Sequence, residues 1–128
     1  MQHIPGLYVG NSDLKGRGVF SAHDISKGDI IEICPLILIP SDQINYLNHT
    51  ILHDYYFSWP GNEDYACIAL GYGSLYNHSS TPNADVTFDL TEKTIVIKAL
   101  DDVPAHEELL IDYQGGDKKS TQLWFDAK

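Results

Sequence analysis

The densest group of residues able to do chemistry in this sequence is Tyr76-Asn77-His78-Ser79-Ser80-Thr81-Pro82-Asn83. Its Asn, Ser and Thr side chains can donate and accept hydrogen bonds to backbone that no sheet satisfies. Pro82 fixes its own φ and biases Thr81 away from the helical region. Apolar runs flank the group, Ala66 to Leu70 before it and Ala84 to Leu90 after it, so a stiff, irregular segment with a polar face is expected beside the core. His78 invites a general-base role by its residue type. Other histidines offer less. His49 and His53 are four residues apart, a spacing that can hold zinc on a helix, but Thr50-Ile51-Leu52 lacks the glutamate of a metalloprotease. They read as surface histidines, and His3, His23 and His106 have no ligand-spaced neighbours, so no metal is expected. Gly16-Arg17-Gly18 leads into Val19-Phe20; alone, such a glycine pair is more often a turn or bulge than a ligand loop. The Lys and Ser or Thr that would make it a phosphate loop are missing.

The elements that must position these residues are mostly strands. A short strand is expected at Leu7 to Val9, then a turn at Asn11-Ser12-Asp13. Asp24 to Asp29 reads as a turn, followed by strands Ile30 to Cys34 and Leu36 to Ile39 separated by Pro35, which marks an edge or a change of direction. Ser41 is placed to cap one short helix running to about His49, with Ile44, Leu47, Ile51 and Leu52 at helical spacing. Asp54 to Trp59 is an aromatic strand whose Phe57 and Trp59 belong in the core, and Pro60-Gly61-Asn62 reverses it into Tyr65 to Leu70. A second hairpin joins Ala84 to Leu90 with Thr94 to Ala99 around Thr91-Glu92-Lys93. Asp101 to Glu107 is a polar loop and Leu109 to Ile111 the last strand. After Tyr113 a polar stretch from Gln114 to Ser120 should move freely, and Leu123-Trp124-Phe125 should dock as a cap.

Length and composition fit one domain. With 128 residues, 43% hydrophobic, the chain can bury a modest core without disulfides or a metal. No run approaches a membrane span and no secretory leader is expected. Cys34 and Cys67 sit in apolar runs and read as free buried thiols, which implies a soluble protein of a reducing, intracellular compartment. The net charge of −10 repels nucleic acid and attracts cationic partners such as a lysine-rich peptide, although acidity also serves plain solubility.

Asn77-His78-Ser79-Ser80-Thr81-Pro82-Asn83 resembles the Asn-His-Ser-x-x-Pro-Asn signature of SET-domain protein lysine methyltransferases. Lys15-Gly16-Arg17-Gly18-Val19-Phe20 resembles the family's Gly-x-Gly entry, and Glu108-Leu109-Leu110-Ile111-Asp112-Tyr113 its closing motif. The likeness extends to the short stand-alone viral form, where glycines flanking an aromatic, as in Leu70-Gly71-Tyr72-Gly73, also precede the Asn-His pair. The resemblance implies a mainly β, β-clip-like fold of several small curved sheets, with the last motif crossing knot-like beneath the Asn77 segment. It makes residues 1–128 a single SET domain, with a core at 7–113 and a tail at 114–128 that caps the site. A cysteine-rich zinc cluster common after the last motif has no counterpart here, since nothing after Cys67 supplies thiolates.

The activity implied is transfer of a methyl group from S-adenosylmethionine to a lysine amine, most readily on a histone tail, which would bring the enzyme to a host nucleus. A non-histone substrate or an idle lysine-peptide-binding module are the alternatives. Such a reaction needs a neutral amine in line with the methyl, and free lysine has a pKa of about 10.4, so desolvation in a narrow channel must lower it. By the same likeness Tyr113 is the catalytic tyrosine; by itself it would read as a core residue. Lys15, Gly16, Arg17, Gly18, Tyr55, Asn77, His78, Tyr113 and Trp124 are the implied cofactor contacts, with Asn77 and His78 acting largely through backbone. Tyr55, Tyr72, Val86, Ile111 and Tyr113 are the implied lysine channel. Val86 and Ile111 stand where the family often has a tyrosine that narrows the space, which implies room for di- or trimethylation. A homodimer is a further expectation, as a means of recognising substrate.

Overall fold

A computed structural model describes residues 2–13, 16–62 and 64–112. Two sheets dominate it. The first contains β1 (Leu7–Ser12), β2 (Gly16–Ser21), β6 (Asn77–His78) and β9 (Glu108–Ile111) in the order β1-β2-β9-β6. The second contains β3 (Ile30–Ile39), β4 (Tyr56–Ser58), β5 (Ala66–Ala69), β7 (Ala84–Asp89) and β8 (Thr94–Ala99) in the order β4-β5-β3-β8-β7. The fold is mainly β, as expected, with one short helix, α1 (Ser41–Leu47), and 3-10 turns at Ile51–Asp54 and Gly73–Leu75.

β3 is the spine, and Pro35 organises it rather than breaking it. Residues Ile30 to Pro35 pair with β8 and residues Leu36 to Ile39 with β5, on opposite sides. A proline lacks the N–H that a continuous two-sided ladder requires, so it sits where one partner hands over to the next. Its carbonyl still accepts from Leu70 N–H at 2.9 Å. The free side of the first half is covered by the N-terminal residues, through Ile33 N–H to Gln2 O and Ile4 N–H to Ile31 O. Ile31, Cys34, Ile95, Ile97, Val19, Leu109 and Ile111 are wholly buried between the two sheets and bind them into one core.

The two hairpins form as the sequence indicates, β4 with β5 and β7 with β8, and Phe57 and Trp59 are buried. Elsewhere the structure corrects the reading. β1 runs on through Asn11 and Ser12, which pair with Arg17 and Gly16, so the turn starts only at Asp13. Gly16 and Gly18 lie inside β2, where the pairing with β1 outweighs their weak strand preference. The helix is capped by Pro40, not Ser41, because Pro40 is extended and its carbonyl accepts Gln43 N–H at 2.9 Å. It stops at Leu47, and Ile51 and Leu52 fall on the separate 3-10 turn. No residue of α1 is buried and Tyr46 is 73% exposed, so packing does not prolong it.

Candidate functional site

The Tyr76 to Asn83 segment is not wholly irregular. Asn77 and His78 form β6, a two-residue strand parallel to Leu110 and Ile111 of β9. Ser79 N–H continues this pairing to Ile111 O at 2.9 Å. The far end of the segment holds β9 again, this time with a side chain. Asn83 Nδ2 donates to Glu108 O at 2.9 Å while its Oδ1 accepts Leu110 N–H at 2.8 Å, so one amide supplies the donor and acceptor of a missing strand. The Asn77 segment thereby holds β9 twice, through β6 and through the Asn83 amide.

β9 lies between β6 and β2, pairing with β2 at Val19 and Phe20. Beyond that rung the link from β2 to β6 passes through Asn77, whose Nδ2 donates to Arg17 O at 2.8 Å and to Glu108 Oε2 at 2.7 Å. Glu108 Oε1 accepts from Ser12 Oγ at 2.7 Å. A side chain at Gly18 would collide with the Glu108 carboxylate, which explains the second glycine. Gly16 has φ +84° and open space where a Cβ would stand. The result places the exposed residues Gly16 and Arg17 beside half-buried Asn77 and His78. His78 Nδ1 lies 3.7 Å from Asp112 Oδ1.

A second polar cluster supports the segment from behind. Glu32, only 2% exposed, accepts the Tyr76 phenol at Oε1, 2.7 Å, and Tyr72 N–H at Oε2, 2.9 Å. Tyr76 is 0% exposed; burial, and then the Glu32 carboxylate, push its phenol well above the ordinary range and keep it a proton donor. Gly71, at φ +66°, makes the turn that brings Tyr72 N–H to this carboxylate, and a side chain there would strike Glu32. Cys34 lies beside the cluster with its thiol pushed up by burial and by Glu32.

The structure therefore brings Gly16, Arg17, Gly18, Asn77 and His78 together. Tyr55 is half-buried at the end of the 3-10 turn Ile51–Asp54, with its N–H on Leu52 O. Tyr72 directs its hydroxyl to Leu7 O at 3.4 Å and meets the edge of His3, so among the described contacts it faces the N-terminal segment. Val86 and Ile111 are buried in the core cluster. Lys15, Tyr113 and Trp124, like the whole tail at 114–128, lie outside the described residues. His49 and His53 hydrogen-bond Asn45 O and Asn48 Oδ1. Among the described residues no group of three His, Cys, Asp or Glu is placed to share a metal. Glu32, Glu108, Ser12 and Asn83 have structural parts that were not assigned from sequence. The signal for Glu32 was visible as a lone charge inside Ile30-Ile31-Glu32-Ile33-Cys34.

A fold of this topology, with three separated motifs meeting on one sheet, is that of a SET domain. The SET domain family model matches residues 16–114, and the chain belongs to that family. It is 32% identical over 121 residues to the Schizosaccharomyces pombe histone-lysine N-methyltransferase specific for H3 lysine-37, covering 94% of this chain and 77% of the relative. A crystal structure of a candidate histone methyltransferase from Plasmodium falciparum is 37% identical, with TM-score 0.67, over 84% of this chain and 96% of that chain. A chain of a humanized mutant of the Chaetomium thermophilum Polycomb Repressive Complex 2 shares the fold at TM-score 0.74 and 22% identity, over 96% of this chain and 16% of that one. By activity the protein is a protein-lysine N-methyltransferase. These relatives are not viral, and the viral likeness draws no support from them.

Proposed function

We propose that the protein transfers methyl groups from S-adenosylmethionine to a lysine in a histone tail. The observation that carries this reading is the meeting of the Gly16–Gly18 strip, the Asn77–His78 strand and the Glu108–Ile111 strand on one sheet, joined through the Asn77 amide. Family membership supports the chemistry, and the H3 specificity named for the Schizosaccharomyces pombe relative supports the choice of a histone.

The residues present fit the methyl donor. Open space at Gly16 permits close approach to its main chain, exposed Arg17 follows it, and Asn77 and His78 stand half-buried alongside. In this reading Lys15, Gly16, Arg17 and Gly18 hold the donor through main chain, with Asn77, His78, Tyr55 and Trp124 completing its site. When bound, S-adenosylmethionine supplies a methyl group activated by its sulfonium. This chain's own part is to exclude water, orient the substrate amine and favour its neutral form. Tyr113, at the close of the last motif, is the tyrosine proposed to orient that amine; Tyr55, Tyr72, Val86 and Ile111 line its channel. Alignment contributes more than any single weak contact, since a carbon–hydrogen contact to oxygen is worth about 0.5–1 kcal/mol.

The net charge of −10 supports a basic substrate by drawing it in, rather than by helping deprotonation, because a negative field favours the charged amine. Free buried thiols at Cys34 and Cys67 support a reducing compartment, and a histone substrate would place the enzyme in a nucleus.

Transfer of labelled methyl from S-adenosylmethionine to purified histones tests the proposal, with Tyr113→Phe as the loss-of-activity control. Label on the histone tail supports it. Label only on non-histone protein, or binding of lysine peptides without transfer, would replace it with one of the alternatives, and sedimentation of the active form would decide between monomer and homodimer. Mass spectrometry of the product peptide should show di- or trimethyl-lysine, given aliphatic residues at 86 and 111; a product stopping at monomethyl would overturn that part.

A further inference from the structure

Resting on the reading of Gly16–Gly18 and Asn77 as the donor-binding edge, we propose that Glu108 is the positioning residue of that edge. Its part is to orient the Asn77 amide and fix the distance between β2 and β6. The two oxygens are both engaged in ways that leave little freedom. Oε1 accepts Ser12 Oγ, on a buried side chain, and Oε2 accepts Asn77 Nδ2, each at 2.7 Å. The same Asn77 nitrogen donates to Arg17 O at 2.8 Å. Both acceptors thus face one end of the amide. Turning the amide over would set its oxygen against a carboxylate and a carbonyl, so the Nδ2-inward orientation is enforced and Oδ1 is directed away from both.

Glu108 also governs spacing. Gly18 is paired with Gly10 on β1, and the carboxylate lies where a Gly18 side chain would stand. Ser12 on β1 and Asn77 on β6 therefore bond one carboxylate of β9 that also lies against Gly18 of β2, so it reaches each of the other three strands of the sheet. Loss of that group would let β6 move relative to β2 at the edge where donor is held. The groups that Glu108 holds, Ser12 and Asn77, belong to the donor edge. The effect should fall on donor binding.

The test compares the full-length wild-type protein with Glu108→Ala, Glu108→Gln and Ser12→Ala, measuring S-adenosylmethionine binding by calorimetry and kcat and both KM values with a histone peptide. Removing a charge-assisted acceptor should weaken donor binding about tenfold or more in Glu108→Ala, with the peptide KM within about twofold of wild type. Glu108→Gln keeps an oxygen for Asn77 and turns an amino group to the Ser12 hydroxyl, so it should return to within about threefold of wild type. Ser12→Ala, which leaves the Asn77 contact intact, should lose about threefold and serves if Glu108→Ala fails to fold. Donor binding in both Glu108→Ala and Ser12→Ala equal to wild type would overturn the proposal. So would a Glu108→Gln variant as poor as the alanine, or an equal loss in kcat and both KM values. A wild-type protein that neither binds nor uses the donor would instead overturn the reading on which the inference rests.

Discussion

Replacing Tyr76 with phenylalanine removes one oxygen from a ring that is wholly buried, and the consequence falls on Glu32. Its carboxylate is 2% exposed and accepts the Tyr76 phenol at 2.7 Å and Tyr72 N–H at 2.9 Å, with the Cys34 thiol also bonded to it. Without the phenol, the buried carboxylate loses its shortest hydrogen bond. A hydrogen bond to a charged acceptor is worth about 1.5–3 kcal/mol, and stranding the charge adds to that, so a loss of about 3 kcal/mol is expected. For a domain of this size each kcal/mol lowers Tm by roughly 3–5 °C, giving a fall of about 10 °C. Urea denaturation should show the lower midpoint with an unchanged slope, since the folded surface is the same. Glu32→Gln and the double variant complete a cycle, in which the double variant should lose about 1–2 kcal/mol less than the sum of the singles. A Tyr76→Phe protein within about 0.5 kcal/mol of wild type, or a cycle with no coupling, would refute the claim that this pair supports the segment leading to Asn77.

Asn83→Ala should cost about 2–3 kcal/mol in the same denaturation assay, because it strands Glu108 C=O and Leu110 N–H; Asn83→Asp, which keeps the acceptor for Leu110, should cost less. The buried thiols predict a fall in stability on the alkaline side. Burial pushes Cys67 from 9.0 up to about 12, so the folded state holds its proton longer than the unfolded state does. The stabilisation is full below pH 9.0 and is lost as pH rises towards about 12, by on the order of 4 kcal/mol over the whole interval. Cys34 and Tyr76 shift in the same direction, so Cys67→Ala should shallow the decline without abolishing it, and a decline unchanged in that variant would count against the thiol as its source.

The parts of this fold that were legible in sequence are those governed by local pattern. The alternation of Ala84 to Asp89 and Thr94 to Ala99 around a polar turn produced a hairpin, and the aromatic run ending at Trp59 produced another. What misled was local chemistry overruled from a distance. Gly16 and Gly18 prefer a turn, but their pairing with Ser12 and Gly10 and the Glu108 carboxylate above Gly18 make them strand. Pro35 should end a strand, but β3 changes partners there and continues. For Asn77 and His78 no pattern of two residues can announce a parallel pairing with Leu110 and Ile111, whose contact depends on chain closure across the whole second hairpin.

Charge was the hardest feature to read, and the reason is physical. Counting 18 acidic residues against 8 basic ones treats every carboxylate as a source of surface field, yet Glu32 is buried in the core and Glu108 is bonded within a sheet. Each accepts hydrogen bonds from groups on other strands and holds backbone that hydrophobic packing alone would leave free to slide. They flank the Asn77 segment from two sides, Glu32 through Tyr76 immediately before it and Glu108 through the Asn77 amide itself. The acidity proposed to draw in a basic substrate and the two carboxylates bonded beside the Asn77 segment are thus different residues. Neutralising exposed carboxylates should slow capture of a basic peptide in a salt-dependent way, whereas changing these two should alter the site at any ionic strength.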